Sequence, residues 1–579
     1  MQIQRPIRIV LAAAAALLSW QAISTAQSLD GLSNISDDTL ANPPADDWLM
    51  WRRTYNSHGF TPLTQINKTN VTNLEEAWRA ELSPGPNMAT PLVHDGIMFL
   101  ASTQDVLLAL DATSGEELWR HTHESNAGPG AKIGIALYKD LVLFPTDDTH
   151  LKALNTKTGE VIWDTAITGP GAGMGPRPYG LRGAPIVANG VVVQGVTATM
   201  MPEGGFIVGL NIETGAEMWR FHTVARPDGP GGNTWNNLPL SDRSGGSVWV
   251  PGSYDAELDL VYYGTAPTYD TKSLMENLNE PGVSNDALYT NTTLALRPKT
   301  GELVWYYQHV ANDQWDLDWV YERQIIEMEY EGENRKVIVT AGKMALYDAL
   351  DAATGEYLFS VDSGLQNIIT AIDPETGAKT IHPNAIVPNA EDTHLLCPFA
   401  NGGRNWQSGA VNPETKMLYL PLAEVCMMAG PTGQGGVLSS GAGMRPAPLP
   451  DSDGKFGRLQ AINLNTQETA WTFREVVPPT SGVMTTASGL IFGGALDMSF
   501  KAFDDSNGEI LWQTNLGDIP ASFPISYAVD GKQYIAIVVG QPSLHANLWI
   551  GVVSGFLGEE NSPVVNLQRT GAAIVVYAL

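Results

Sequence analysis

The sequence predicts an all-β protein, an eight-bladed β-propeller whose blades are four-stranded antiparallel sheets. Three observations predict this fold: a short phrase that recurs along the chain, a second hairpin pattern ahead of many of its copies, and a composition rich in turn residues. The 579 residues include 58 Gly and 37 Pro, and only 16% of them are charged. Such a composition leaves little material for long surface helices.

The recurring phrase reads as a strand, a tight turn around Thr-Gly-Glu, and a second strand that ends on tryptophan. Its copies are LALDATSGEELW at Trp119, KALNTKTGEVIW at Trp163, VGLNIETGAEMW at Trp219, LALRPKTGELVW at Trp305, DALDAATGEYLF at Phe359, QAINLNTQETAW at Trp471, KAFDDSNGEILW at Trp512 and the degenerate NKTNVTNLEEAW at Trp78. Alternating strands around such a turn are typical of a β-hairpin. Eight copies predict eight blades.

A second hairpin, such as Pro91–Ser102, precedes many copies, so each repeat supplies four strands. The spacing from Trp78 to Trp119, 41 residues, suits one propeller blade. We expect the repeated tryptophans to pack between blades and to carry no chemistry. The spacing from Trp219 to Trp305, 86 residues, is too long for one simple blade. Its extra residues predict expanded loops around the central channel, where ligands bind.

The N-terminus predicts export. A ten-residue apolar run follows two arginines and ends before the small-residue signal Ser24–Ala26. We expect cleavage after Ala26, which makes 1–26 a signal peptide, 27–45 an N-terminal extension and 46–579 a single propeller. Ten apolar residues are too few to span a bilayer stably, and we expect no transmembrane anchor in the mature chain. The predicted location is the periplasm.

Charge and cysteine content exclude several classes of protein. With 33 Lys+Arg against 62 Asp+Glu, the net charge is −29, which makes nucleic acid an unsuitable partner. Two cysteines cannot form a C-x-x-C-H or Cys₄ motif, so we expect no attached c-type haem or iron–sulfur cluster. Export permits a disulfide between Cys397 and Cys426. Two separately buried cysteines are the alternative.

The repeated phrase, the segment Trp51–Trp78 and the segment Ile525–Gly540 resemble the alcohol dehydrogenases that depend on pyrroloquinoline quinone (PQQ). The resemblance implies PQQ near the propeller axis beside a Ca²⁺ or lanthanide ion. It also implies oxidation of an alcohol to a carbonyl compound and transfer of the electrons to a separate acceptor, such as a cytochrome c. The frame around Cys397 and Cys426 occurs in several members, which favours the disulfide.

The segment NDQWDLDW places Asp316 and Asp318 in a pattern that resembles the family's W-D-x-D. The resemblance implies that Asp316 is the catalytic base and that both aspartates hold the metal; an acid at the second position is associated with lanthanide use. A carboxylate near a metal can take the hydroxyl proton while hydride leaves carbon. In an extended segment the two side chains share a face. A solvated acidic turn is the alternative.

Four further residues match cofactor-binding positions of the family. Lys343 lies where a cation contacts the quinone oxygens, and a fixed positive charge there would stabilise the negative charge that develops on them. Trp249 resembles the tryptophan on which the PQQ ring stacks. Asn405 and Trp406 match an Asn-Trp pair near the cofactor. The alternative for Trp249 is that it fills the propeller core.

One departure from the family concerns the cofactor. Many members have two adjacent cysteines over PQQ, followed by Asn-Arg-Gly; here the cysteine positions hold Ala127 and Gly128, and the arginine position holds Ile133. The neighbouring Lys132 is the candidate that would take over the contact with a PQQ carboxylate.

A second departure concerns the metal. The family's metal-binding Glu falls at Met200, and its metal-binding Asn falls at Ala266-Pro267. A hard cation needs six or more oxygens, so Glu203 is the candidate replacement; a wetter site or no metal are the alternatives.

Two functions follow from the sequence. The first is an exported quinoprotein dehydrogenase that oxidises a hydroxylated substrate in a pocket reshaped by loops near 225–245 and 265–290. The second is a non-catalytic exported propeller that acts as a protein-binding scaffold. A scaffold has no need for the acidic pair, the inward lysine and the central tryptophan together, and the first function is therefore favoured.

Overall fold

The described residues form eight sheets of at least four strands that follow one another along the chain, as the repeats predict, together with one two-stranded and one three-stranded sheet. The computed structural model describes residues 29–169, 179–386, 393–431, 442–540 and 544–579, so the predicted signal peptide lies outside the described residues. Seven sheets have four strands and one gains a fifth. The predicted eight-bladed propeller is confirmed.

Each blade consists of four strands in chain order, except that the seventh gains an added strand and the eighth takes its outer strand from the N-terminal part of the chain. Blades one to four comprise Leu92–His94, Ile97–Ser102, Val106–Asp111 and Glu117–Thr122; Ala136–Tyr138, Leu141–Pro145, His150–Asn155 and Val161–Ala166; Ile186–Ala188, Val191–Gly195, Phe206–Asn211 and Glu217–His222; and Ser253–Asp255, Leu260–Gly264, Thr292–Leu296 and Leu303–Gln308. Blades five to eight comprise Gln324–Tyr330, Glu333–Ala341, Leu346–Asp351 and Tyr357–Asp362; Ala410–Asn412, Met417–Ala423, Gly457–Asn463 and Glu468–Glu475; Met484–Thr486, Leu490–Gly494, Ser499–Asp504 and Ile510–Asn515, with Phe60–Thr61 added; and Ile525–Val529, Lys532–Val539, Ala573–Ala578 and Glu75–Glu81.

Smaller elements surround the blades. The other strands are Ile369–Ile372, Lys379–Ile381, His394–Leu396, Val425–Pro431 and Ala442–Pro448. The α-helices are Asp37–Ala41 and Leu544–Leu557, and the 3₁₀ helices are Leu29–Gly31, Val71–Asn73, Gly232–Thr234, Leu240–Asp242, Lys272–Leu274 and Pro383–Ala385. Among the described helices, none combines the length and the apolarity that crossing a bilayer requires.

Both ends of the chain build the eighth blade and close the ring. The strand Glu75–Glu81 pairs antiparallel with Ala573–Ala578, with Glu81 opposite Ala573. The degenerate repeat that ends at Trp78 is therefore the outer strand of the last blade. A propeller closed in this way holds its first and last blades together through backbone hydrogen bonds.

Six of the seven repeated tryptophans contact a turn of the next blade in the same way. The indole Nε1 of Trp163 donates to the carbonyl oxygen of Ile212 at 2.9 Å. Gly215 lies under the ring with φ +70°, and a Cβ at this position would be 2.5 Å from a ring carbon. The same arrangement joins Trp78 to Gly115, Trp119 to Gly159, Trp219 to Gly301, Trp305 to Gly355 and Trp471 to Gly508. The inter-blade packing expected of these tryptophans is confirmed.

Two features hold the segments that surround the propeller axis. Cys397 and Cys426 form a disulfide, so the expected pairing is confirmed. The helix Leu544–Leu557 is inserted between the second and third strands of the eighth blade. Its Trp549 packs edge-on against Phe399, with 6.3 Å between the ring centroids, which anchors the helix to the disulfide-bonded segment.

Replacing a glycine that lies under a tryptophan ring tests the packing between blades. Gly215→Ala should lower the free energy of unfolding through two costs, a left-handed backbone of about 1 to 2 kcal/mol and overpacking against Trp163 of about 1 to 3 kcal/mol. Gly190→Ala is the matched control, because Gly190 has φ +73° but no atom within 4 Å of a Cβ. Denaturant unfolding measures the free energy of unfolding of both variants. Equal losses in the two variants would contradict the proposed packing of Trp163 on Gly215.

Candidate active site

A cavity of about 380 Å³ lies where loops from several blades meet. The blade residues that line it come from segments before a first strand or after a second strand, and these segments lie at the same end of their blades. The walls include Arg182, Thr197, Trp249, Tyr269, Asp316, Asp318 and Lys343. His545, Asn547 and Leu548, from the inserted helix, line another side. Residues far apart in the sequence therefore converge on one buried space.

Asp316, Asp318 and Lys343 form a buried charged cluster in this cavity. The Lys343 ammonium lies 3.0 Å from Asp316 Oδ1 and 2.9 Å from Asp318 Oδ1. It also donates to the backbone carbonyl of Asp316 at 2.8 Å. All three side chains are at most 6% exposed. The structure thus brings together the acidic pair and the lysine that the sequence singled out.

The loop that carries the two aspartates is held by a third one, Asp313. Its carboxylate accepts hydrogen bonds from the backbone amides of Trp315 and Leu317, each at 2.7 Å. Asn291 donates to the same carboxylate at 2.8 Å. Asp316 itself adopts φ +64°, a conformation that non-glycine residues rarely take. The surrounding hydrogen bonds stabilise this strained position, as is common where a side chain must be aimed precisely at a ligand.

Burial and mutual charge separate the two aspartates. Burial and the neighbouring charge of Asp318 raise the pKa of Asp316 well above its ordinary value, and Lys343 offsets only part of this effect. For Asp318, burial opposes ionisation, but Lys343 and the hydrogen bonds to the carboxylate outweigh it and lower its pKa. Burial also disfavours the Lys343 ammonium, yet both carboxylates together raise its pKa. The lysine is therefore charged.

Trp249 forms an aromatic wall beside the cluster. Its indole Nε1 donates to Asp318 Oδ2 at 3.1 Å, and its ring meets Tyr321 edge-on with 5.4 Å between the centroids. The Tyr269 hydroxyl donates to the same Asp318 oxygen at 3.3 Å. Trp249 is only half-buried and lines the cavity. A flat aromatic ligand could stack on such a surface.

Asn405 and Trp406 lie next to the cavity in a loop that shapes it. The Asn405 amide donates to the carbonyl of Asn401 at 2.8 Å, and its oxygen accepts from the Trp406 backbone amide at 2.8 Å. Asn401, rather than Asn405, lines the cavity. Trp406 packs edge-on against Phe523, in one apolar cluster with Trp249. These two residues support the wall, and Asn401 forms it.

Lys132 does not belong to the described lining of the cavity that holds Asp316. Its ammonium is 2.6 Å from Asp105 Oδ1 and 2.5 Å from Asp147 Oδ1. These aspartates line a different cavity, of about 630 Å³. Because two buried carboxylates hold the ammonium, the placement does not support the expected contact of Lys132 with PQQ.

Glu203 also points away from the acidic pair. Its carboxylate lies 3.7 Å from the Arg226 guanidinium, and its backbone carbonyl accepts from Arg226 at 2.9 Å. It does not belong to the described lining of the cavity that holds Asp316. The placement does not support the expected role of Glu203 as a metal ligand, because an arginine and not the cavity faces its carboxylate.

Several lining residues were not found from the sequence. Arg182 precedes the third blade, Thr197 follows the second strand of that blade, Asn401 precedes the sixth blade, and His545 lies in the first turn of the inserted helix. None belongs to the repeated phrase, and each is a single polar residue outside the strands. Only their position at the channel end of a blade could have indicated them.

His545 is a neutral hydrogen-bonding group in the cavity. Burial, and then the charges of Lys343 and Arg182, lower its pKa to about 3. Its Nδ1 lies 2.5 Å from the Asn401 amide oxygen, so Nδ1 carries the proton and Nε2 is left as an acceptor. This part of the cavity can bind a polar group without adding charge.

Fold and site together define a class, a closed eight-bladed propeller with a polar, aromatic-walled ligand cavity at one end. Comparisons with known proteins agree with this class. The family model described as glucose/ethanol/alcohol dehydrogenase, beta-propeller domain, under the heading PQQ, matches residues 48–365 and 375–535. The chain belongs to this PQQ-dependent dehydrogenase family.

Named relatives are similar over most of the chain. The quinohemoprotein alcohol dehydrogenase ADH IIB of Pseudomonas putida is 31% identical over 92% of this chain and 77% of its own length. The dehydrogenase subunit of the quinone-dependent alcohol dehydrogenase of Komagataeibacter europaeus is 30% identical over 94% of this chain and 77% of its own length. Among solved structures, a europium-containing methanol dehydrogenase superposes with TM-score 0.83 and 25% identity, covering 94% of this chain and all of the other.

The neutral state of His545 predicts a pH dependence of stability. An unfolded histidine binds a proton below about pH 6.5, whereas folded His545 does not until about pH 3, so acidification between these values favours unfolding. In His545→Gln this side chain can no longer bind a proton in the unfolded state. The free energy of unfolding should therefore fall less steeply in the variant, by about 1.4 kcal/mol per pH unit below about pH 6. Denaturant titrations at several pH values check this, and parallel pH profiles would contradict it.

Proposed function

We propose that this protein is an exported PQQ-dependent dehydrogenase that oxidises an alcohol to an aldehyde or ketone. Membership of the PQQ-dependent family supports the reaction class. The observation that carries the proposal is the buried cluster of Asp316, Asp318 and Lys343 beside Trp249 in one cavity. Buried charges of this kind are costly, and in a cleft they indicate a functional site.

The cavity fits PQQ by its chemistry. Trp249 offers a stacking surface, and Lys343 offers a positive charge to quinone oxygens. Thr197 Oγ1 and Asn401 Nδ2 are buried and have no hydrogen-bond partner within the described part of the chain. Such orphaned groups are costly unless a ligand or water satisfies them. A planar ligand with a polar rim would satisfy both and stack on the indole.

The acidic pair would hold the metal ion. Asp318 Oδ1 is close to Lys343 but accepts no hydrogen bond from any described residue, which leaves an oxygen for a cation. Met200 and Ala266, at the two altered family positions, pack in an apolar cluster and offer no side-chain oxygen. A Ca²⁺ or lanthanide ion at this site would therefore take its remaining oxygens from the cofactor and water. The similarity to a europium-containing enzyme supports a lanthanide as one candidate.

The residues that line the cavity have different roles in the proposed reaction. In this cavity, bound PQQ would supply the acceptor for the two electrons that leave the alcohol carbon as hydride. Asp316 is the candidate base for the hydroxyl proton, because its raised pKa is the direction that a base acting near neutral pH requires. Lys343, held by both aspartates, places a positive charge beside the reacting groups. His545 and Asn401 supply neutral polar contacts.

A neighbouring cavity supplies room for the substrate. The loops near 225–245 and 265–290 contribute to a second cavity of about 620 Å³, which shares Tyr269 with the first. This space supports a substrate bulkier than a simple alkanol.

The electrons pass to a separate acceptor. A basic cytochrome c is the proposed acceptor, because the net charge of −29 would attract it over long range. The periplasm, predicted from residues 1–26, is the proposed location.

The scaffold alternative finds no support. The two relatives from Pseudomonas putida and Komagataeibacter europaeus are named as dehydrogenases, and a scaffold gains nothing from two adjacent buried carboxylates at a cavity wall. We therefore do not retain it.

Reconstitution tests the proposed function. Apo-protein incubated with PQQ and either Ca²⁺ or La³⁺ should reduce an artificial dye with a panel of alcohols, and removal of the metal should lower the rate. Asp316→Asn should lower kcat by about a hundredfold or more, because the base is lost. Asp373→Asn, in an exposed turn, is the control and should be fully active.

Two results would decide against parts of this proposal. If the wild-type protein binds no PQQ under any metal condition, the dehydrogenase function is wrong. If Asp316→Asn keeps the wild-type rate, Asp316 is not the base, although the function could stand.

A further inference from the structure

Arg182 enters the cavity from the segment that leads into the third blade. It lines the same wall as Thr197 and Thr199. Gly180 and Thr197 exchange two backbone hydrogen bonds, at 3.0 and 2.8 Å, which hold the Arg182 segment beside the Thr197 segment. The Thr197 hydroxyl in this wall is buried and has no hydrogen-bond partner among the described residues. The wall therefore combines a guanidinium with an unsatisfied hydroxyl.

Arg182 lies directly beside the altered cofactor position. The backbone amide of Ile133 donates to the Arg182 carbonyl at 2.8 Å. Ile133 holds the place of the family's arginine, and its side chain is 2% exposed and packed among apolar residues. The chain has thus lost a cation on one segment and carries another on the segment hydrogen-bonded to it.

Two lysines that the sequence singled out pair with carboxylates. Lys343 lies between Asp316 and Asp318, at 3.0 and 2.9 Å. Lys132 is held by Asp105 and Asp147, outside this cavity. Arg182 and His545 line the same cavity, and the positive charge of Arg182 is one of the causes that lower the pKa of His545, after burial and Lys343. An anionic ligand group in the Thr197 wall would therefore meet the guanidinium.

We propose that Arg182 binds a carboxylate of PQQ and replaces the arginine missing at position 133. PQQ carries carboxylates on the rim of its ring system, and guanidinium binds a carboxylate through two parallel hydrogen bonds. Thr197 adds a hydroxyl donor to the same group. The cofactor is then held at one side by Arg182 and at another by Lys343. This inference rests on the proposed function.

Equilibrium binding of PQQ to the apo-protein, followed by calorimetry, tests the proposal without reference to activity. Arg182→Gln should weaken PQQ binding about tenfold to a hundredfold. Arg182→Lys should lie between, because lysine keeps the charge but loses the paired geometry. Arg120→Gln is the control, since Arg120 is 45% exposed and pairs only with Glu117 on the outer strand of blade one; it should bind as the wild type does. Circular dichroism confirms that each variant is folded.

A chemical variant of the ligand makes the test specific. The wild-type protein should prefer PQQ over its fully esterified form, and Arg182→Gln should reduce that preference by the same factor by which it weakens PQQ binding. An unchanged preference, or unchanged PQQ affinity in Arg182→Gln, would overturn the proposal while leaving the dehydrogenase function intact. If Arg182→Gln does not fold, the same two ratios are measured on Arg182→Lys. Failure of the wild type to bind PQQ would instead overturn the function and this inference with it.

Discussion

The stacking of a blade's tryptophan on the next blade's turn, found at six of the blade junctions, is the constraint on which the structure depends. Trp163 over Gly215 shows why: the turn must place a backbone without a side chain under the ring, and the indole then bonds to the neighbouring blade. Repeated around the chain and closed by the strand Glu75–Glu81, this contact fixes the angle between blades. The ends of the inner strands therefore converge, and loops from distant segments form one cavity.

Buried charge is the second constraint, and beside the cavity it is balanced by opposite charge. Lys343 joins the carboxylates of Asp316 and Asp318. Nearby, Arg404 donates to both oxygens of Glu322, at 2.7 and 2.6 Å, with both side chains at most 2% exposed. A buried charge without a partner costs several kcal/mol, so each member of such a group depends on the others. The hydrogen bonds to Asp313 hold the loop that carries the acidic pair beside the cavity.

The sequence predicted the fold and the centre of the site, but not the periphery of the site. The blades could be predicted because the turn and its tryptophan lie within one short phrase. Asp316 and Lys343 could be found because each stands in a distinctive local pattern. The expectation for Glu203 rested on proximity along the chain alone, and in space the carboxylate faces an arginine. Arg182 and His545 reach the cavity only because separate segments fold together, and no local pattern records that.

The central claim is that the cavity between Trp249, Lys343 and Arg182 is the cofactor site. A crystal structure of the protein with bound PQQ tests it most directly. We predict electron density for one planar ligand on the Trp249 indole, with quinone oxygens towards Lys343 and a carboxylate towards Arg182. Stoichiometrically bound PQQ found outside this cavity, or inside it with neither cation in contact, would contradict the account.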